Sequence, residues 1–399
     1  MEQPDRRGPH NAVVKAGLVI AGPTLVTLIP MAAAPALPAM AKAFDAAGQG
    51  TLFAQMVVTA PAIMVILGAP VAGTLAEFIG RRGCMLASLV LFCLAGVACV
   101  LAPDSNTLIA ARLTLGLAGG GLLTTSLALA SEFPEGGPRE RLLGSMVACT
   151  AVFAILALNF GGELVDVFGW RGSFALYLLG VPVLLMAWAK LESHAAAPVT
   201  HASLFAVLRT FWAVYLVVVI LAIGMFMTPV QGMLLVEANG VGRAVVQSSF
   251  ISCYSAAAAL SAASFGWLAR RFGPASLFAL IAAVFAGGGV IVALSSSAVP
   301  VIIGFVIMGI GAGLIEATAA LLILGSATEA LRPRAIGLLL SAVFMGQFLN
   351  PLVVDPLRRA YGIHGAFLAV SITFAFLALM LLSRPVGARL RGSAQTSFC

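Results

Sequence analysis

Charged side chains are what this sequence most lacks. Asp, Glu, Lys and Arg make up 9% of its 399 residues, against about a quarter in a soluble domain. A water-soluble fold of this length would expose more surface than so few charges could hydrate. The chain therefore reads as an integral membrane protein, and its mean hydropathy of +1.07 agrees. The six cysteines make no C-x-x-C or zinc spacing and read as small apolar packing groups. His10, His194, His201 and His364 are scattered over termini and loops, so no metal site follows from them. No convergent nucleophile, base or ligand set falls within an apolar run, which excludes an enzyme embedded in the membrane. The absence of a Gly-x-x-x-x-Gly-Lys-Ser/Thr loop excludes an ATP-driven pump. The formal charge of +7 is spread in ones and twos rather than in a patch, so nucleic acid is not a partner.

What the sequence has in abundance is apolar runs of about 20 residues, each able to cross the hydrocarbon layer as a helix. They lie near 16–37, 52–76, 84–102, 108–130, 144–165, 173–189, 211–235, 246–268, 275–294, 300–325, 336–356 and 365–383, which predicts twelve crossings. The links are short. The longest central one divides the chain into a six-helix bundle over 1–190, a cytoplasmic linker over 191–209 and a second six-helix bundle over 210–399. With a cytoplasmic N-terminus, sixteen of the 22 lysines and arginines fall on the cytoplasmic side and five on the other, while Arg112 lies within a run. That bias over an even number of crossings puts both termini in the cytoplasm. The first run has a basic approach and Ala39-Met40-Ala41 placed like a cleavage site, but it is too long and too proline-rich for a signal peptide.

The two halves align without a gap at a spacing of 193 residues. Gly73 and Gly80 fall on Gly266 and Gly273, Gly116 and Gly120 on Gly309 and Gly313, and Gly169, Gly172 and Phe174 on Gly362, Gly365 and Phe367. Six helices repeated in one orientation imply a pseudo-twofold axis along the membrane normal, a cavity between the halves, and alternating access. The segment Gly73-x-x-x-Glu77-x-x-Gly80-Arg81-Arg82 is similar to the loop after helix two in the major facilitator superfamily, with Glu77 where that family usually has Asp. The chain resembles this superfamily along essentially its whole length, closest in pattern to its 12-helix drug/proton antiporter-like group. The resemblance implies an all-α polytopic fold of two pseudo-symmetric six-helix bundles. It also implies that Glu77, Gly80, Arg81 and Arg82 act in conformational gating. Gly73 is expected to permit close helix approach, and Gly80 to close a tight turn.

Arg112-x-x-x-Gly116-x-x-Gly119-Gly120-Gly121 resembles the family's helix-four motif, whose arginine is associated with proton coupling; the alternative is an arginine snorkelling to the interface. On helix five, proton-antiporting members carry Gly-Pro-x-x-Gly-Gly. Here Gly161-Gly162 remain as candidate gating glycines, but Ala157-Leu158 replace the Gly-Pro pair.

Polar residues inside apolar runs are costly and point to function. Glu316 lies mid-run with no basic neighbour in its own helix, so it must be protonated, paired across helices or wetted by a cavity. With Arg112 it is the proton-coupling candidate; a structural cross-helix bond is the plain alternative. Asn159 and Asn350, Gln347 on the face of Asn350, Tyr254, Gln55, Gln231 and Thr27 are candidates to line a substrate cavity. Asn350-Pro351 is also placed to break its helix. With only Arg112 as an internal cation, a neutral or monovalent hydrophobic or amphipathic organic solute fits better than a multiply charged one. The reading is a monomeric secondary transporter of a bacterial inner membrane, contacting lipid and a small-molecule substrate, with no cofactor beyond a coupling proton. It exports its solute against protons, or alternatively takes up a small organic solute or metabolite by proton symport.

Overall fold

The computed structural model describes residues 8–45, 48–134, 137–191, 204–328 and 331–383, and side chains from Val13 onward except those of 204–206 and 333. Most of the expected linker, with His194 and His201, and the terminal Arg6, Arg7, Arg384, Arg389 and Arg391 lie outside the described residues. The chain forms two compact units, Met1–Pro198 and Val199–Cys399. Every regular element among the described residues is helical. With no water in a hydrocarbon layer to receive free backbone groups, helices satisfy those groups within one segment.

The first unit runs α1 (Gly8–Ala33), a 3-10 turn (Ala34–Ala36), α2 (Leu37–Ala43), α3 (Gly50–Thr59), α4 (Pro61–Leu101), α5 (Ser105–Ala130) and α6 (Pro138–Phe168). A longer 3-10 segment (Gly172–Leu179) then leads into α7 (Gly180–Lys190). Prolines mark several starts: Pro35, Pro38, Pro61 and Pro138 stand in first turns, where a missing N–H costs nothing. Asp104 caps α5 by accepting from the Thr107 N–H at 2.8 Å. The second unit runs α8 (Leu204–Met225), a π turn (Met227–Gln231), α9 (Gly232–Ala238), α10 (Ala244–Ala269), α11 (Pro274–Ala293), α12 (Ala298–Ala312), α13 (Ile315–Ser326) and α14 (Arg332–Leu382).

Ten of the described helical stretches are long and apolar enough to cross a membrane, where the sequence predicted twelve runs. The difference has one cause. Runs 52–76 and 84–102 fall in a single stretch, Gly50–Leu101, and runs 336–356 and 365–383 in another, Arg334–Leu382. In each, one glycine leaves the helical region, Gly80 at φ 73° and Gly362 at φ 73°, too brief an interruption to end the hydrogen-bond pattern. Run 300–325 is in turn split at Gly313–Leu314 into α12 and α13.

Inside each unit, helices meet where glycine lets a backbone come close. In the first, a Cβ on Gly116 would collide with the Pro61 carbonyl, and one on Gly120 with the Val65 carbonyl. In the second, Gly309 meets the Tyr254 carbonyl and Gly313 the Ala258 carbonyl. All four contact residues obey the 193-residue spacing, so the repeat in sequence is a repeat of helix crossings. Gly73 departs from expectation. A Cβ there would meet nothing within 4 Å, and the close approach on α4 is made instead by Gly68 against the Leu117 backbone. Gly273, the repeat partner of Gly80, is extended at φ −70° and caps α11. Large apolar side chains such as Leu94, Phe160, Leu260 and Phe376 point outward, as a lipid solvent permits.

Candidate functional site

Arg112 is the one fully buried guanidinium among the described residues. It sits on α5, and its Nε donates to the Val57 carbonyl of α3 at 2.7 Å. One Nη donates to the Ile29 carbonyl of α1 at 3.1 Å and the other to the Tyr177 hydroxyl. Tyr177 in turn donates to Ile29 O at 2.7 Å. The rings of Phe174 and Tyr177 lie 5.3 and 5.5 Å from the guanidinium carbon. Three neutral acceptors and two π faces thus hold a charge that would be costly alone in a low dielectric. The site ties α1, α3, α5 and the second 3-10 segment together, so Arg112 does not snorkel. Tyr177 was not foreseen, since its partner lies 65 residues away.

Of the other first-unit candidates, Gln55 is fully buried on α3 and Thr27 half-buried on α1. Asn159, half-buried on α6, donates to the Ile155 carbonyl of its own helix at 2.8 Å. Gly161 and Gly162 are buried, and Pro35 lies 3.3 Å from a Cβ built on Gly161. Helix α6 continues past them to Phe168 with no proline in its interior.

Gly80 turns the chain so that the two arginines after it reach different partners. Arg81 donates to Glu132 Oε1 at 2.9 Å, and Lys15 of α1 donates to Glu132 Oε2 at 3.1 Å. Arg82 donates to the Trp188 carbonyl at 3.0 Å. Glu77 is exposed, and the carboxylate that meets the loop's arginine is Glu132, just past the end of α5. Partial burial raises the Glu132 carboxyl, but the hydrogen bonds and charges of Lys15 and Arg81 outweigh it and hold it below the usual range.

In the second unit the π turn, which contains Pro229, gathers the amides. Gln231 Nε2 donates to Asn350 Oδ1 at 3.0 Å, and Asn350 Nδ2 donates to the Ile223 carbonyl at 2.9 Å. The Tyr254 hydroxyl reaches the Met225 carbonyl of α8 at 2.5 Å. Gln347 is buried on the same helix as Asn350. The expected break at Asn350-Pro351 is absent: α14 runs through Pro351, and the irregular backbone sits across from it at Met227–Gln231. Glu316 lies in the first turn of α13, directly after the break at Gly313–Leu314, and is exposed. A helix N-terminus favours an anion there. Among the described residues no cluster of three His, Cys, Asp or Glu could hold a metal.

A methylenomycin A resistance protein of Streptomyces coelicolor is 37% identical over 137 residues, which is 34% of this chain and 28% of that protein. Multidrug resistance protein Stp of Mycobacterium tuberculosis is 37% identical over 153 residues, 38% of this chain and 28% of that protein. The chain thus matches under a third of the length of these relatives. Among solved structures, a D-xylose–proton symporter superposes with a TM-score of 0.74 at 13% identity, over 93% of this chain and 97% of that one. A peptide transporter gives a TM-score of 0.75 at 12% identity, over 95% and 96%. At such identity the likeness is one of fold. The Major Facilitator Superfamily model matches residues 21–238 and 214–397, nearly the whole length, and the chain is a member of that family.

Proposed function

We propose that the chain is a secondary transporter that moves a small organic solute across a bacterial inner membrane by alternating access, coupled to protons at Glu316. The observation that carries this is Glu316 itself: an exposed carboxylate at a helix break within an otherwise apolar span. Such a group can gain or lose a proton as its access to water changes. Arg112 supports the coupling by holding α1, α3 and α5 in register. The amide group of Gln231, Asn350 and Gln347 with Tyr254, together with Gln55, Asn159 and Thr27, offers hydrogen bonds to a neutral or monovalent solute. Glu77, Gly80, Arg81 and Arg82 with Gly161 and Gly162 serve the conformational exchange, and Gly73 acts with them by leaving an open helix face. The reading includes twelve crossings, with Gly80 and Gly362 as reversal points, in bundles of 1–190 and 210–399 with cytoplasmic termini. The protein works as a monomer in lipid with no resident cofactor.

Solute and proton moving together is the favoured mode, because α6 lacks the Gly-Pro of proton-antiporting members and carries no proline in its interior. Export is the second reading, supported by relatives named for drug resistance. The test is a screen of neutral and monovalent amphipathic compounds on protein in vesicles with an imposed pH gradient, read in both directions. A substrate should dissipate the gradient in wild type, and Glu316→Gln should move solute without protons or stop. Wild-type proton stoichiometry and pH profile in a folded Glu316→Gln protein would remove Glu316 from the coupling role.

A further inference from the structure

His364, left aside by the transport reading, closes a three-segment bridge in the second unit. Its Nδ1 faces the Ala293 carbonyl at the end of α11 at 3.2 Å, and its Nε2 faces Asn239 Oδ1, just past α9, at 3.1 Å. Asn239 uses its Nδ2 to donate to the Ser295 carbonyl at 3.5 Å. In this orientation Asn239 turns Oδ1 to His364 and Nδ2 to Ser295; flipped, it would set two acceptors against each other across the 3.5 Å contact. Both ring nitrogens of His364 therefore meet oxygens that can only accept. A neutral imidazole has one N–H and leaves one of these contacts as an opposed pair of acceptors. The imidazolium has two and satisfies both.

The first unit shows what this bridge replaces. At the 193-residue spacing His364 takes the place of Arg171, and Ser295 the place of Ala102. Arg171 stacks on Trp170 at 4.1 Å and donates directly to the Ala102 carbonyl at 2.8 Å. The shorter histidine reaches the equivalent carbonyl, that of Ser295, by way of Asn239. Gly169 and Gly362 lead into the two residues with the same left-handed backbone, φ 72° and 73°. One site is thus built twice, once with a permanent cation and once with a titratable one.

We infer that His364 is a proton-operated latch that ties the ends of α9 and α11 to α14, and that the matching Arg171 contact in the first unit has no pH dependence. In the orientation proposed above, the latch faces the non-cytoplasmic side. The charged residues around it are few. On α14, Asp355 pairs with Arg358 and Arg359, and Tyr361 is exposed. The charged residues nearest Asn239 in sequence are Glu237 and Arg243, and residues 294–297 between α11 and α12 carry no charge. The three contacts of His364 and Asn239 with Ala293 and Ser295 need no other group.

The test is hydrogen exchange on the full-length protein in lipid nanodiscs, corrected for intrinsic rates, between about pH 5 and pH 8. No solute is needed, so the result is independent of the transport reading. Segments 236–243, 293–298 and 362–368 should lose protection roughly tenfold as pH rises, the scale of one charge-assisted hydrogen bond. Segments 100–104 and 169–174 should not change. His364→Gln should show low protection at every pH, and Asn239→Ala should lose the pH dependence while His364 is still present. Wild-type protection that is flat with pH would overturn the latch, as would an unaltered pH dependence in His364→Gln.

Discussion

Arg112→Lys separates a structural anchor from a charge reaching toward water. The guanidinium makes three hydrogen bonds in three directions, to Val57 O, Ile29 O and Tyr177 Oη, from a side chain with no exposure. A lysine keeps the charge, but its single ammonium lacks the fork and cannot span all three acceptors. With two bonds lost at about 1.5–3 kcal/mol each for a charged donor, and part recovered by relaxation, the variant should be destabilised by about 3 kcal/mol. For a unit of this size that corresponds to a fall of roughly 6–12 °C in melting temperature. Tyr177→Phe should cost less. The double variant should fall short of the sum of the two, because the residues share one network. The assay is thermal unfolding of purified protein in detergent, followed by reaction of buried cysteines such as Cys99, which lies in the first unit. A shift under 2 °C for Arg112→Lys, or additive effects of the two variants, would refute the anchor.

Three further outcomes follow from the same geometry. Gly309→Val should abolish folded yield, because its side chain would enter the Tyr254 backbone, whereas Gly73→Ala should be neutral or stabilise by about 0.5 kcal/mol; membrane yield and monodispersity report both. Glu132 ionises more readily in the folded state, so its stabilisation is complete at neutral pH and is lost as pH falls through its lowered value. Glu132→Gln should therefore cost about 1 kcal/mol at pH 7 and flatten the loss of thermal stability below about pH 5. Asn350→Leu should cost about 1 kcal/mol and be less than additive with Gln231→Leu, as measured by a double-mutant cycle on melting temperature.

The membrane class and the repeat were legible because they depend on composition and on glycine spacing, which a helical membrane protein displays along the chain. The partners of the functional groups were not. Tyr177 lies 65 residues from Arg112, and Glu132 lies 51 from Arg81. In a soluble helix the apolar stripe would have shown which face turns inward. Here nearly every face is apolar, so that cue is gone. The same loss explains Gly73 and Gly68, two glycines on one helix of which only the second meets a backbone. The π turn at Met227–Gln231 and the break before Glu316 also leave little local trace. Pro229 hints at the first, yet Pro351, the more suggestive residue, sits in a continuous helix.

Comparing the two units at the 193-residue spacing separates scaffold from chemistry. The glycine–carbonyl contacts of Gly116 and Gly120 recur at Gly309 and Gly313, so the same helix crossings are made twice. The polar groups proposed for coupling and solute binding do not recur in kind at Arg112, Glu316 and Asn350. Arg112 corresponds to Phe305, a fully buried ring against Gly232. Glu316 corresponds to Leu123, and Asn350 to Ala157. A buried charge demands its own acceptors, and the first unit supplies them through Tyr177 and two carbonyls. At the position that matches Tyr177 the second unit has Val370, which offers no side-chain acceptor. An arginine at position 305 would therefore lack the hydroxyl that completes the site in the first unit. The repeat fixes where helices can approach, and the departures from it fix which unit carries the cation and which the carboxylate.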